Sequence, residues 1–276
     1  MKVGLLQLCS SDRPAENLAV TRDLLRQAAS AGASFILTPE VTNCVSSDRG
    51  HQDRVLQTEA EDITLAGLRA EAQALGVWLL IGSLAIKTKD GDGRLANRSF
   101  LVAPDGAVAA RYDKIHMFDV NVSETEQYRE SAGFRPGGRA VLATAPFARI
   151  GLSVCYDLRF PHLYRRLAQA GAEILTVPAA FNDTTGAAHW ESLLRARAIE
   201  NGAFVLAPAQ SGSHAAHNGR PRRTWGHSMI VAPWGEVLAD AGTDVGATVA
   251  EIDLAAVSRA RHRVPSLTHD RDFEGP

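Results

Sequence analysis

Gly151-Leu-Ser-Val-Cys155-Tyr-Asp-Leu-Arg-Phe-Pro161 compresses a strand end, a turn and a helix start into eleven residues. Ala148 to Val154 is a compact apolar run of the length and composition of a buried strand. Pro161 suits the first position of a helix, where its missing N–H costs no hydrogen bond, and a helix is expected from it to Ala170, with Gly171 closing it. Between the two stands Cys155. A side chain on a strand-to-helix turn is presented to a cleft, and the amides beside it can face a developing oxyanion. Free cysteine is also among the most buried residue types, so this segment alone leaves a plain core cysteine open.

Outward from this segment the chain alternates strands and helices. Lys2 to Cys9 reads as a strand, Leu18, Leu24, Leu25 and Ala28 as a helix ending at Gly32, and Ser34 to Leu37 as a buried strand. That strand stops at Thr38-Pro39, because proline lacks the N–H a ladder needs, and Glu40 is left at its C-terminal end. Leu65, Leu68 and Leu75 mark a second helix and Val77 to Ile86 the next strand. The turn signals Asp90-Gly-Asp-Gly and Asp105-Gly106 bracket Asn97 to Ala103, and Val108 to Tyr112 completes a hairpin that delivers Lys114.

A polar loop is expected from Asn121 to Gly138. Beyond the cysteine segment come a strand at Ile174 to Pro178, a helix at His189 to Asn201, strands at Ala203 to Pro208, Ser228 to Ala232 and Ala247 to Leu254, and a short final helix. No linker or low-complexity run divides the sequence, so residues 1–276 read as a single domain. Helix-strand-strand alternation in both halves predicts an α/β fold, a four-layer α-β-β-α sandwich of two mixed sheets flanked by helices, although no exact internal repeat is present.

With 29 basic and 31 acidic residues the net charge is -2, which gives no global electrostatic argument for nucleic acid or a membrane surface as partner. Cys9, Cys44 and Cys155 form no CxxC pair, which argues against a disulfide framework and a structural zinc site. Met1-Lys2 leads directly into an apolar strand without a signal-peptide h-region, and no apolar run reaches the roughly 20 residues of a membrane span. The expected location is therefore the cytoplasm.

Two charged residues stand at unusual places: Glu40 after its strand and proline, and Lys114 in Tyr112-Asp-Lys-Ile-His116 at the end of a hairpin. A cysteine with a free pKa near 8.5 needs a base, a cation or both to become a nucleophile, and a Glu/Lys/Cys set supplies both. In order and context, Thr38-Pro-Glu40, Tyr112-Asp-Lys-Ile-His116 and Cys155-Tyr-Asp-Leu-Arg-Phe-Pro161 resemble the motifs of the carbon-nitrogen hydrolase (nitrilase) superfamily, over essentially the whole chain.

The resemblance implies Cys155 as nucleophile, Glu40 as general base, Lys114 as cationic stabiliser of the oxyanion with the Tyr156 amide beside it, and Glu130 in Arg129-Glu-Ser131 as a positioning group. It implies no cofactor and no metal, a small-molecule amide as substrate, and a homodimer or larger homo-oligomer with the helix after Cys155 near an interface. His214, His217 and His227 are read as surface or hydrogen-bonding histidines rather than ligands. Phe181, Asn182 and Trp190 are expected on the pocket wall, and Arg222 or Arg223 as a clamp for a substrate carboxylate.

Nitrilases proper usually carry Cys-Trp-Glu. Here Phe118-Asp119, the cysteine motif and Thr224-Trp-Gly-His-Ser-Met229 are similar to the branch holding deaminated glutathione amidase and omega-amidase. Ala209-Gln-Ser-Gly212 and the basic stretch Arg220 to Arg223 favour the former, while Val41 to Arg49 matches neither well. N-carbamoyl amino acid hydrolysis and nitrile hydrolysis are the alternatives within the family. Outside it stand a binding protein of the same fold without turnover, and a papain-like Cys-His hydrolase using His116 or His189.

Overall fold

The computed structural model describes residues 1–89, 91–124, 126–216 and 222–275; Asp90, His217 and Arg220 of the sequence reading lie outside them. Two sheets organise the chain. The seven-stranded sheet has the order β17 (Gly246–Glu251), β1 (Lys2–Gln7), β2 (Phe35–Leu37), β3 (Trp78–Lys87), β4 (Leu95–Val102), β5 (Val108–Asp113), with β8 (Phe134–Arg135) pairing the start of β4. The six-stranded sheet runs β9 (Val141–Thr144), β10 (Arg149–Leu152), β11 (Ile174–Thr176), β12 (Phe204–Ala207), β15 (Met229–Val231), β16 (Val237–Asp240).

Read in these orders, both sheets pair antiparallel, parallel, parallel, antiparallel, antiparallel. The halves repeat one topology. Gly4 of β1 and Gly151 of β10 hold equivalent places and serve the same end: a Cβ would sit 3.2 Å from Ala28 at the first and 3.2 Å from the Cβ of Leu167 at the second, so each lets a helix lie close on its sheet.

Strand alternation explains the layers. Val3, Leu5, Phe35, Leu37, Leu80 and Leu101 share one cluster with Ile150, Leu152, Ile174 and Val205 of the other sheet. The intervening Leu6, Ile36, Leu79, Ile81, Phe100 and Val102 pack instead on Leu25 and Ala28 of α1 (Pro14–Ser30) and Leu65, Leu68 and Ala72 of α3 (Ile63–Leu75). The second sheet is covered by α4 (Pro161–Gln169) and α5 (Asp183–Asn201). The expected α-β-β-α sandwich is what forms.

Some elements differ from expectation. The helix predicted from His189 starts at Asp183, because Asn182 caps it by accepting from Thr185 N at 3.1 Å and because Gly186 packs under the indole of Trp225. The supposed loop from Asn121 to Gly138 contains a ribbon of β6 (Asp119–Asn121) and β7 (Gln127–Arg129), a 3-10 turn at Glu130–Ala132, and β8. A second ribbon pairs β13 (Ser211–Ser213) with β14 (Arg223–Trp225). The helices α2 (Arg49–Val55) and α6 (Ala255–Arg263) complete the order. Among the described residues no helix is long and apolar enough to cross a membrane.

Candidate active site

Three chain segments bring Glu40, Lys114 and Cys155 to one end of the sandwich, and Glu130, from the 3-10 turn at Glu130–Ala132, meets them there. The first is the end of β2. Thr38 Oγ1 accepts from Gly82 N at 3.0 Å, Ser83 N donates to Pro39 O at 3.2 Å, and Val41 N donates to Ser83 Oγ at 2.9 Å, so the turn carrying Glu40 is fastened to a bulge in β3. Gln210 Nε2 holds the Glu40 carbonyl at 3.0 Å. Val41 has φ +46°, a left-handed conformation that costs a β-branched residue about 1–2 kcal/mol.

The second segment is the end of the β4–β5 hairpin. Lys114 N donates to Asn97 O at 3.0 Å, and Gly137 N donates to Lys114 O at 2.7 Å. One residue earlier, Asp113 takes a two-pronged contact from Arg98 at 2.6 and 2.9 Å, which fixes the register in which the lysine leaves the sheet.

The third is the turn after β10. Cys155 has φ +48° and its N–H donates to Pro178 O at 2.9 Å. Buried Asp157 ties this turn to the lysine segment: its carboxylate accepts from Val154 N at 2.8 Å, the Tyr112 hydroxyl at 2.7 Å, His116 N at 3.0 Å and His116 Nδ1 at 2.7 Å. The His116 ring stacks on Phe160 with centroids 3.5 Å apart. Arg197 of α5 donates to Leu158 O at 2.7 and 3.0 Å and closes the far side of the turn. Of the non-glycine residues at positive φ among the described residues, two of three are Cys155 and the neighbour of Glu40.

The segments converge. Lys114, 2% exposed, donates through Nζ to Glu40 Oε1 at 2.8 Å and to both oxygens of Glu130 at 2.9 and 2.8 Å. Asn97 Nδ2 donates to the same Glu40 Oε1 at 2.9 Å and to Glu130 Oε1 at 3.2 Å. The remaining Glu40 oxygen accepts from Ala180 N at 2.8 Å, and Phe118 N donates to Glu130 at 2.6 Å. Cys155 lines the same cavity as Glu40 and Lys114 and feels the charge of both.

Burial opposes every charge here, and the neighbours decide the outcome. Burial would raise Glu40, but Lys114, Arg222 and the Ala180 amide hold it well below the usual carboxylate range. Burial would lower Lys114, but Glu130 and Glu40 keep it firmly protonated. Burial and the adjacent Glu40 push the Cys155 thiol well up, against the opposing pull of Lys114 and Arg222. At rest the proton therefore sits on sulfur beside an ionised carboxylate. These groups line a cavity of about 530 Å³ whose walls include Phe118, Tyr128, Tyr156, Phe181, Asn182 and Arg222. The Tyr156 N–H finds no acceptor among the described residues.

The carbon-nitrogen hydrolase family model matches residues 2–262. The chain is 40% identical over 277 residues to a deaminated glutathione amidase of Yersinia enterocolitica, covering 98% of this chain and 92% of that one. It is 35% identical over 273 residues to omega-amidase NIT2 of Homo sapiens, covering 98% and 95%. The solved structure of the C. elegans NitFhit protein superposes with a TM-score of 0.90 at 33% identity, over 98% of this chain and 65% of that one. The chain belongs to the carbon-nitrogen hydrolase family. It is an enzyme of carbon-nitrogen bond hydrolysis, and these amidase relatives match it over nearly its full length.

Within this carbon-nitrogen hydrolase, the sequence reading placed five residues on the substrate wall. Phe181, Asn182 and Arg222 do line the cavity. Trp190 does not: it lies one turn or more into α5, 1% exposed, packed behind Phe181 with ring centroids 5.0 Å apart and its indole N–H on His227 O. Arg223 does not either. Its side chain is 70% exposed and pairs with Asp183, because successive residues of an extended strand point to opposite faces. His116 and His189, the bases of a Cys-His alternative, bond Asp157 and meet Arg159 and do not line the cavity.

His214 is buried between Ser10 O and Thr224 Oγ1 rather than on the surface, and His227 pairs with Asp240. Among the described residues no group of three His, Cys, Asp or Glu is arranged to hold a metal. Two polar residues of the candidate site, Asn97 and Asp157, are not marked by the sequence. Both sit in segments already singled out, but their roles depend on which distant groups they meet.

Proposed function

We propose that the chain is an amidase that cleaves the amide of a small carboxylate-bearing substrate through a Cys155 thioester, with Glu40, Lys114 and Glu130 as its catalytic partners. The convergence of Glu40, Lys114 and Glu130 on the thiol in one cavity carries this reading. As Sγ attacks the amide carbon, its proton passes to Glu40 and the negative charge moves onto the amide oxygen, so the net charge of the buried cluster does not change. All three Nζ hydrogens of Lys114 are engaged at rest. One of them turns from Glu130 to the oxyanion, while Glu130 keeps the Phe118 amide at 2.6 Å. The Tyr156 N–H is the second donor, and one such donor is worth about 3 kcal/mol in the transition state.

Glu40 then gives its proton to the departing nitrogen, and ammonia leaves. The same carboxylate takes a proton from water as the water attacks the thioester, and returns it to sulfur when the acid is released. Each step uses side chains of this chain.

The substrate class is supported by Arg222. Its Nη2 donates to Ala180 O at 2.7 Å, its guanidinium lies 5.8 Å over the Tyr128 ring, and its Nε has no partner among the described residues. A cation held there, close enough for Glu40 and Cys155 to feel it, suits a substrate carboxylate. Together with the relatives' names, this makes a deaminated glutathione-like substrate the first choice.

Residues 1–276 act as one domain in this reading, in a cytoplasmic setting that suits its three free cysteines. A homodimer or larger assembly is supported by exposed Ile199, Trp234 and Val264 on the helical side of the second sheet. Ammonia release from purified protein is measured with deaminated glutathione, 2-oxoglutaramate, simple nitriles and N-carbamoyl amino acids. Turnover of the first, with KM rising about tenfold or more in Arg222→Ala, is expected, whereas turnover of nitriles alone would overturn the proposal.

A further inference from the structure

We infer that Asn97 is a positioning residue for this reaction, its side-chain amide bridging Glu40 and Glu130 so that both carboxylates keep one arrangement around Lys114 and the thiol. The inference rests on the catalytic reading above. Its geometric basis is a closed ring of four groups: Glu40 Oε1 and Glu130 Oε1 each accept from both Lys114 Nζ, at 2.8 and 2.9 Å, and Asn97 Nδ2, at 2.9 and 3.2 Å. Two carboxylates this close repel, Glu40 buried and Glu130 half-buried, and one ammonium between them leaves their outer sides unscreened. A neutral amide donor on that side adds attraction to both without adding a second cation, which would over-neutralise the base.

The orientation of the amide is decided by the same contacts. Turned round, Oδ1 would face two carboxylate oxygens. As it stands, Asn97 Oδ1 is buried without a partner among the described residues. An unpaired buried acceptor is a cost with no return in packing, and such sites need another explanation. Holding the two acids supplies one. The main chain of the same residue works to the same end, since Asn97 O accepts from Lys114 N at 3.0 Å and Asn97 sits opposite Ala85 in the β3–β4 ladder. When Lys114 turns a hydrogen to the oxyanion, the amide still spans Glu40 and Glu130.

Asn97→Leu removes the bridge at similar volume, and Asn97→Asp replaces it by a third carboxylate that can join the cluster only by binding a proton. The expected result is a kcat lower by about tenfold in Asn97→Leu and about a hundredfold in Asn97→Asp, with KM within about threefold of wild type. The acid limb of the kcat/KM profile also moves to higher pH, further in Asn97→Asp, because Glu40 loses a donor that favours its ionised form. Circular dichroism and melting temperature, recorded on each variant, give the folded fraction to which rates are normalised.

An unmoved acid limb in both variants, with rates that follow only the folded fraction or KM, would overturn the proposal. Glu40→Gln is run alongside. If it keeps wild-type turnover, the catalytic reading falls and this inference with it; if it is inactive while both Asn97 variants keep the wild-type profile, only the role of Asn97 is lost.

Discussion

Thr38-Pro39-Glu40 and Val177-Pro178-Ala179 follow equivalent strands of the two sheets, β2 and β11, and begin with the same geometry of a β-branched residue and a proline. Their contributions are opposite in kind. The first turn offers a side chain, the Glu40 carboxylate. The second offers main chain: Pro178 O takes the Cys155 N–H, and two residues on Ala180 N donates to Glu40. Between them lies Gly82, where a Cβ would fall 2.0 Å from Thr38 O and 2.5 Å from the Pro178 ring. A repeated scaffold thus brings two similar turns together, and one residue's difference decides which carries the carboxylate and which is its main-chain seat.

The comparison can be broken most severely at the acid. Glu40→Gln keeps the shape of the first turn and removes its charge, and should lower ammonia release by about a thousandfold or more. The same variant carries a pH signature. Because the folded protein holds Glu40 below its ordinary pKa, its ionisation stabilises the fold above the unfolded value of about 4.3, and that contribution is lost as pH falls through the folded value. Denaturant midpoints of wild type and Glu40→Gln should therefore draw together below about pH 4. A gap that stays constant across the range would contradict the assignment.

Making the second turn resemble the first should not create a second base. Ala179 is fully buried in the apolar cluster between the sheets, so Ala179→Glu buries a carboxylate among apolar side chains, with an expected destabilisation of about 3–5 kcal/mol and no gain in turnover. Gly82→Ala tests the seam itself: forcing the two turns apart should cost about 2–3 kcal/mol in urea unfolding and reduce kcat more than KM. The smallest effect is expected away from the seam. Arg223→Ala removes an exposed pair with Asp183 and should change stability by less than about 0.5 kcal/mol and leave KM unaltered, in contrast to its neighbour Arg222.

What sequence could reveal follows from range. Strand, turn and helix signals at Gly151 to Pro161, at Thr38-Pro-Glu40 and in the hairpin before Lys114 are local, and the layers follow from their alternation. The family is legible in those three motifs, and the comparisons bear it out. The β6–β7 ribbon was hidden because its strands are short, polar and half solvated. Arg222 and Arg223 could not be separated because β14 spans Arg223–Trp225, too short for its phase to be read from apolar spacing. Trp190 falls in the core rather than on the wall because its helix begins at Asp183, six residues before the expected start at His189. Asn97 and Asp157 carry no local mark at all, since each matters through partners as many as 57 residues away for Asn97 and 45 for Asp157.

The resting protonation of Cys155 has a bearing on durability. Burial and the adjacent Glu40 favour the protonated thiol, and peroxide attacks a thiolate faster than a thiol. Oxidation of Cys155 should accordingly be slower than that of a solvent-exposed cysteine at the same pH.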